Sequence, residues 1–331
     1  MSTTKPETSS RASHRRGQTA RGRRADAPGD LPAPGWRDVL LRTKNELAKD
    51  NLSIVAAGVA FYCFMAFVPM LGAIVSTYGL VADPVQVSEH AEALAQVVPA
   101  EVMPLLREQM QRLTSAGEAA GIGALVSLLL AVYASAKATK ALITGLNIAY
   151  DEEERRGFVR LQAVALALTL GAVLGAVLAL GLVAVLPSVA GHLGWSDAAG
   201  TAVNWLRWPL LVGGFMLGLG VLYRFGPSRN PPQWRWLSAG AVVATGLWIV
   251  ASLGFSFYVS TLGNYEKTYG SLGALVVFLL WLYLTGYVVL LGAELNAEME
   301  RQTEKDTTAG EPKPLGQRDA YSADTVGPTP E

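Results

Sequence analysis

Apolar and polar positions along this 331-residue chain are grouped in long blocks rather than alternating residue by residue. Six blocks, 53 to 78, 119 to 139, 161 to 186, 205 to 224, 236 to 259 and 271 to 293, approach the roughly 20 apolar residues a helix needs to cross about 30 Å of hydrocarbon. The third, "LQAVALALTLGAVLGAVLALGLVAVLP", contains no charge and is the least ambiguous. The second is weaker, because Lys137 and Lys140 follow its apolar section closely; either the helix continues beyond the headgroups or these lysines snorkel. The fourth begins near Arg207 and Pro209. The pattern predicts an all-α polytopic membrane bundle of six transmembrane helices over residues 36–300. Between the first two blocks, "PVQVSEHAEALAQVVPAEVMPLLREQMQRLTSAG" has helical spacing in two parts, with Leu106, Met110 and Leu113 on one face. It reads as an amphipathic cap on the span ends, or as a lid.

Charge then fixes an orientation. If the N-terminus is cytoplasmic, the inner segments 1 to 52, 140 to 160, 225 to 235 and 294 to 331, with Lys137 and Arg224 at their edges, hold 23 of the 27 Lys and Arg. By the positive-inside rule both termini are then cytoplasmic. Hydrophobic residues make up 51% and charged residues 16%, against roughly 25% charged in an average soluble domain, which agrees with a membrane protein. Residues 1–35 are rich in Ser, Thr, Arg and Pro and read as a disordered basic cytoplasmic arm, and 301–331 as a disordered cytoplasmic tail. The basic arm suits anionic lipid; it lacks the interleaved aromatics that stack bases, so no specific nucleic-acid partner is expected.

Candidate chemistry is sparse. The single cysteine, Cys63, excludes an intrachain disulfide, and His14, His90 and His192 are isolated in sequence, so no metal site, cofactor or catalytic set is expected. Pro69 interrupts the hydrogen-bond ladder of the first span, producing a kink or a local opening there, with Tyr62, Cys63 and Ser76 as neighbours that could face a polar cavity or another helix. Arg207 is costly in hydrocarbon; interfacial snorkelling or an anionic partner relieves it, and Asn204 shares its helix face. At the exit of the sixth span Glu294 and Glu298 are four apart and share a face, whereas Asn296 points elsewhere. They could gate a path, bind a proton, or fasten the loop holding Arg155 and Arg156. Asn147, Asp151, Arg155 and Arg156 form a cytoplasmic polar cluster in "NIAYDEEERRGF", in which Glu152 and Arg156 could pair on a helical face. Gly171 with Gly175, and Gly214 with Gly218, give GxxxG spacings that let helices approach closely.

Three stretches, "AAGVAFYCFMAFVPML", "NIAYDEEERRGFVRL" and especially "YEKTYGSLGALVVFLLWLYLTGYVVLLGAELNAEME", resemble the YihY/virulence factor BrkB family of bacterial inner-membrane proteins. The resemblance covers about residues 40 to 300 and implies six membrane helices with cytoplasmic termini. It brings no settled activity; ribonuclease and virulence labels attach to some members. The chain is therefore expected to be a non-enzymatic transporter or lipid-handling permease, with Pro69, Arg207, Glu294 and Glu298 along its path or gate. The alternative is a structural or assembly protein of the envelope. Expected partners are membrane lipids, anionic ones included, and a second copy of the chain or another envelope protein.

Overall fold

The computed structural model describes residues 20–81, 119–185, 197–262 and 273–330. The segment at 84–117 and the three histidines lie outside them. Helix α1 spans Ala33–Lys49 and has Pro34 in its first turn, where the N–H that proline lacks would have no partner anyway. At Asn51 the backbone enters the left-handed region (φ 51°), which asparagine tolerates better than most residues, and the chain turns by 65° into α2, Leu52–Val81. Then follow α3 (Ala119–Ala149), α4 (Phe158–Leu180, extended by a π-helical turn at Gly181–Val185), α5 (Asp197–Phe225), α6 (Trp234–Leu262) and α7 (Gly273–Glu300). A single-turn helix, α8 (Tyr321–Asp324), lies in the tail.

The long helices α2 to α7 form a ring. Each packs on the next, α7 returns to α2, and α7 also touches α3 and α1. All long helices are apolar on most of their faces, as the bilayer demands of a spanning segment that satisfies its own backbone. Among the described residues four stretches, Phe158–Val183, Trp205–Phe225, Trp234–Val259 and Leu275–Glu300, are long and apolar enough to cross a membrane. The bent pair Ala33–Lys49 and Leu52–Phe67 makes a fifth if it is one span. The expected six are thus reduced to four or five on this count. The helix at 119–149 runs on past Lys137 and Lys140, whose ammonium groups sit over the Tyr133 and Phe158 rings at 4.9 and 5.6 Å.

Packing is concentrated at one end, here called the polar end, where α2 begins and α7 finishes. Leu52, Ala56, Leu146, Tyr150, Leu219, Tyr223, Leu237, Ala241, Leu290 and Ala293 form the main core. In α2, α4, α5, α6 and α7 every buried described side chain lies in the half of the helix nearest this end. Helices α6 and α7 approach backbone to backbone: a methyl group on Gly240 would run into the Gly292 carbonyl and the Asn296 side chain, and one on Gly292 into the Tyr223 hydroxyl. Among the described residues the expected GxxxG contacts do not form. Gly171, Gly175, Gly214 and Gly218 have no atom of the described residues within 4 Å of where a side chain would start. Small residues at helical spacing permit close approach but do not choose which helix approaches.

The two expected disordered segments also differ. Residues 20–35 and 301–330 fold over the polar end, with Ala25 and Leu31 packed against Val39, Trp236, Leu295 and Met299. The physical reason is hydrogen bonding rather than apolar burial. Arg318, 4% exposed, donates to the carbonyls of Glu304, Lys305, Lys313 and Ala323, so one guanidinium organises a tail poor in core residues. Asp306 accepts the N–H groups of Thr308 and Lys313, and Asp324 those of Gly316 and Arg318.

Candidate functional site

The last two turns of α7, "GAELNAEME", place polar groups on two faces of one helix. Residues four apart share a face and residues two apart lie nearly opposite. Glu294 and Glu298 therefore look towards α1 and its turn, and Asn296 and Glu300 towards α6 and the loop before it. All four are buried.

Each face has its own arginine. Arg42 of α1 pairs with the Glu298 carboxylate through Nε and donates to the Glu298 carbonyl at 3.0 Å. Arg301 donates to the other Glu298 oxygen at 2.6 Å and stands 3.7 Å from both Glu46 and Asp151. It thereby joins α1, the turn after α3, and α7. On the opposite face Arg229 grips Glu300 with two hydrogen bonds, at 3.2 and 2.6 Å, both side chains being fully enclosed. Thr307 donates to the same carboxylate at 2.6 Å, and the Arg229 guanidinium stacks on the Tyr150 ring at 5.0 Å. Buried carboxylates of this kind are tolerable only when paired and hydrogen-bonded. The expected fastening of Glu294 or Glu298 to Arg155 and Arg156 is not formed, because both arginines point away along the neighbouring loop.

That loop is extended between α3 and α4, so the expected helical pair of Glu152 with Arg156 does not form either. Arg156 instead makes a two-pronged contact to Glu154, 2.7 Å on each side, and donates to the carbonyls of Phe225 and Gly226. Asn147 bridges the two loops, giving its amide N–H to Glu154 and accepting the Ser228 N–H. Burial would raise the Glu154 carboxyl, but the bonds from Arg156 and Asn147 outweigh it and hold the group down at about 2. Arg155 reaches Asp319 in the tail, and Glu152 accepts the Tyr321 N–H. Of the four expected cluster residues, Asn147 and Arg156 meet through Glu154, whereas Asp151 turns to Arg301 and Arg155 to Asp319. Burial, reinforced by Asp151 and Glu46, pushes the Asp50 carboxyl up to about 6.

The terminal segments close over these pairs. Arg42 donates to the Pro328 carbonyl, and Arg23 to those of Gly327 and Arg301. Gln233 and Asn230 bond the tail backbone from the α5–α6 loop.

The remaining sequence-derived residues are spread out. Pro69 lies within α2, which runs through it, next to the contact of Phe67 with Phe278 at 4.7 Å. Phe278 begins an aromatic row that continues through Trp281 and Trp248 to Phe215, crossing α7, α6 and α5. Tyr62 is exposed on α2, with Phe61 against its ring at 5.4 Å. Arg207 is half-buried near the other end of α5, its guanidinium 5.3 Å from the Trp208 ring and its Nε without a partner among the described residues. Seventeen residues separate it from Arg224 at the polar end, about 25 Å along a helix, so Arg207 and Glu294 are not brought together. Sequence reasoning missed Arg42, Arg229, Glu300 and Arg301. The available signal was the second four-residue spacing, Asn296 to Glu300, which presents another buried polar face in need of a partner.

Apolar spanning helices around a polar end locked by buried ion pairs define a multi-pass helical membrane protein. Among its described residues no group of three or more His, Cys, Asp or Glu is placed to hold a metal ion. The chain belongs to the virulence factor BrkB family, whose sequence model matches residues 43–315. It is 32% identical over 228 residues to a ribonuclease-like protein, YfkH, of Bacillus subtilis, covering 66% of this chain and 80% of the relative. It is 27% identical to a UPF0761 membrane protein of Photobacterium profundum, over 80% and 81% of the two chains. A UPF0761 membrane protein of Cronobacter sakazakii is 28% identical over 76% of this chain and 84% of its own. No solved structure matches.

Proposed function

We propose that this protein is a permease for lipids or other amphipathic molecules, sealed at the polar end and open over the opposite half of the bundle. The observation that carries the reading is the packing asymmetry of the ring. Residues 171–178 of α4 are exposed without interruption, more than two turns and therefore every face of the helix. Over that stretch no face of α4 is buried, which leaves its inward side accessible as well as its lipid side. The polar end is the cytoplasmic one on the positive-inside bias, which puts both termini in the cytoplasm and the opening towards the outer leaflet. The aromatic row from Phe67 to Phe215 then floors the opening at mid-depth, Arg207 stands near its rim, and Glu294 and Glu298 belong to the inner seal. The Bacillus relative's ribonuclease-like description is not adopted, since the buried arginines of the polar end, Arg23, Arg42, Arg229, Arg301 and Arg318, are engaged with carboxylates and backbone carbonyls; RNA cleavage by the pure protein would reverse that choice.

The test is transport by purified protein in proteoliposomes, read as exchange of a fluorescent phospholipid between leaflets and as uptake of a panel of labelled solutes. Movement above protein-free vesicles, reduced by Arg207→Ala, is expected. No movement of any probe would sink the permease reading. One observation favours the alternative of an assembly protein: the uncovered Gly171/Gly175 and Gly214/Gly218 faces suit a second copy of the chain. Cysteine crosslinking between copies at 171 and 214, together with inert vesicles, would support it.

A further inference from the structure

Within the inner seal the carboxyl of Glu294 is the exception. It is 2% exposed, and its Oε2 has no hydrogen-bond partner among the described residues, although the neighbouring Glu298 one turn on is served by two arginines. The charges acting on it most strongly are all acids: Glu298 on its own helix, Asp50 in the α1–α2 turn, Glu46 on α1 and Asp151 in the turn after α3. The bases nearby are already engaged. Arg42 is held by Glu298 and the Pro328 carbonyl, Arg301 by Glu298 with Glu46 and Asp151, and Lys49 by Glu46 at 2.6 Å. Tyr150, which lies within electrostatic reach of Glu294, is fully buried, and its hydroxyl likewise closes no hydrogen bond of normal geometry among the described residues.

An ionised Glu294 would stand in an enclosed site with four acids, and with no uncommitted counter-charge among the described residues, an arrangement that burial makes costly. A neutral carboxylic acid removes the fifth negative charge and turns one oxygen into a donor. We infer that Glu294 is a proton-binding site within the inner seal, occupied while the polar end is closed and emptied when it opens. The proton leaves from the Glu294 carboxyl oxygen and passes to water admitted by that opening. The carboxylate formed then competes with Glu298 for Arg42, whose guanidinium holds the tail at Pro328, and for Arg301, which lies over the Tyr321 ring at 5.5 Å. This inference rests on the permease reading, for which it names the coupling ion.

The direct test is infrared spectroscopy of the full chain in lipid nanodiscs, titrated with acid and base in the absence and presence of sodium. A protonated-carboxyl C=O band should persist at neutral pH in the wild type, be lost in Glu294→Gln, and survive in Glu298→Gln. Hydrogen exchange of residues 301–330 should accelerate as the band disappears at high pH, and remain at its slow rate in Glu294→Gln. Absence of the band at neutral pH, its persistence in Glu294→Gln, or its displacement by sodium at constant pH would each overturn the proton site. The band needs no transport for its detection, so inert vesicles with the band intact refute the permease and leave the proton site standing. Transport without the band, indifferent to an imposed pH gradient, does the reverse.

Discussion

At the scale of single residues, the ion pair between Arg42 and Glu298 joins the N-terminal helix to the last one across the whole sequence. Removing Arg42 leaves the buried Glu298 carboxylate with Arg301 alone, and loss of a buried ion-pair partner costs up to about 3–5 kcal/mol in comparable sites. Arg42→Met should therefore lower the thermal midpoint sharply, and the double change with Glu298→Leu should recover most of the loss; thermal unfolding in detergent reads both. Two acids outside the spans give opposite pH signatures. The folded-state carboxyl of Asp50 is raised from 3.8 to about 6, so its contribution is full below about pH 4 and is lost as pH rises through about 6. Asp50→Asn should unfold at a higher temperature than wild type near neutral pH and match it in acid. Glu154 is depressed from 4.5 to about 2, so its contribution is present above about pH 4.5 and is lost as pH falls towards about 2. Glu154→Gln should be less stable at neutral pH, with the difference closing in strong acid. The spacing of Glu294 and Glu298 revealed their shared face in the sequence, but not their unequal fates. Which carboxylate receives an arginine depends on where a residue some 250 positions earlier is placed.

Whole elements show the same limit. The length and apolarity of the helices were legible because hydrocarbon thickness imposes them on each segment separately. Their neighbours were not legible. GxxxG spacing pointed to Gly171/Gly175 and Gly214/Gly218, whereas the tight approach is made by Gly240 and Gly292, which belong to no such motif with each other. Gly240→Ala and Gly292→Ala should each cost about 1–3 kcal/mol by forcing α6 and α7 apart, the usual range for overfilling a packed contact. Gly171→Ala and Gly175→Ala should change stability by less than about 0.5 kcal/mol in either direction, as at other uncovered positions. Denaturation of the four variants in one detergent separates the two sets. If the Gly171 and Gly175 variants instead dissociate an oligomer on size exclusion, the assembly reading gains.

Taken as a whole, the molecule is tied at one end and loose at the other. The charge bias of the sequence anticipated which end carries the arginines, since orientation depends on net counts of Lys and Arg. It did not anticipate that these charges would order their own segments; a composition poor in apolar residues reads as disorder unless the buried guanidinium–carbonyl bonds are known. Ending the chain after Gln302 removes one acceptor each of Arg23 and Arg42, together with the Thr307 bond to Glu300. Mass-spectrometric hydrogen exchange on that truncation should show faster exchange throughout residues 20–49, with α4 unchanged. Arg42 and residues 316–330 fall just outside the stretch matched by the family, while Glu294, Glu298 and Glu300 fall inside it.

The bond from Arg42 to Pro328 joins residues 286 positions apart, and this sets a schedule for biosynthesis. At about 5–20 residues per second a ribosome needs roughly 15–60 s to travel between them. During that interval α1 and then the successive helices are made, while the chain that closes over them has yet to be translated. The nascent protein therefore passes an obligatory period with its polar end uncovered, during which proteases or chaperones on that side of the membrane can reach residues that the finished molecule conceals.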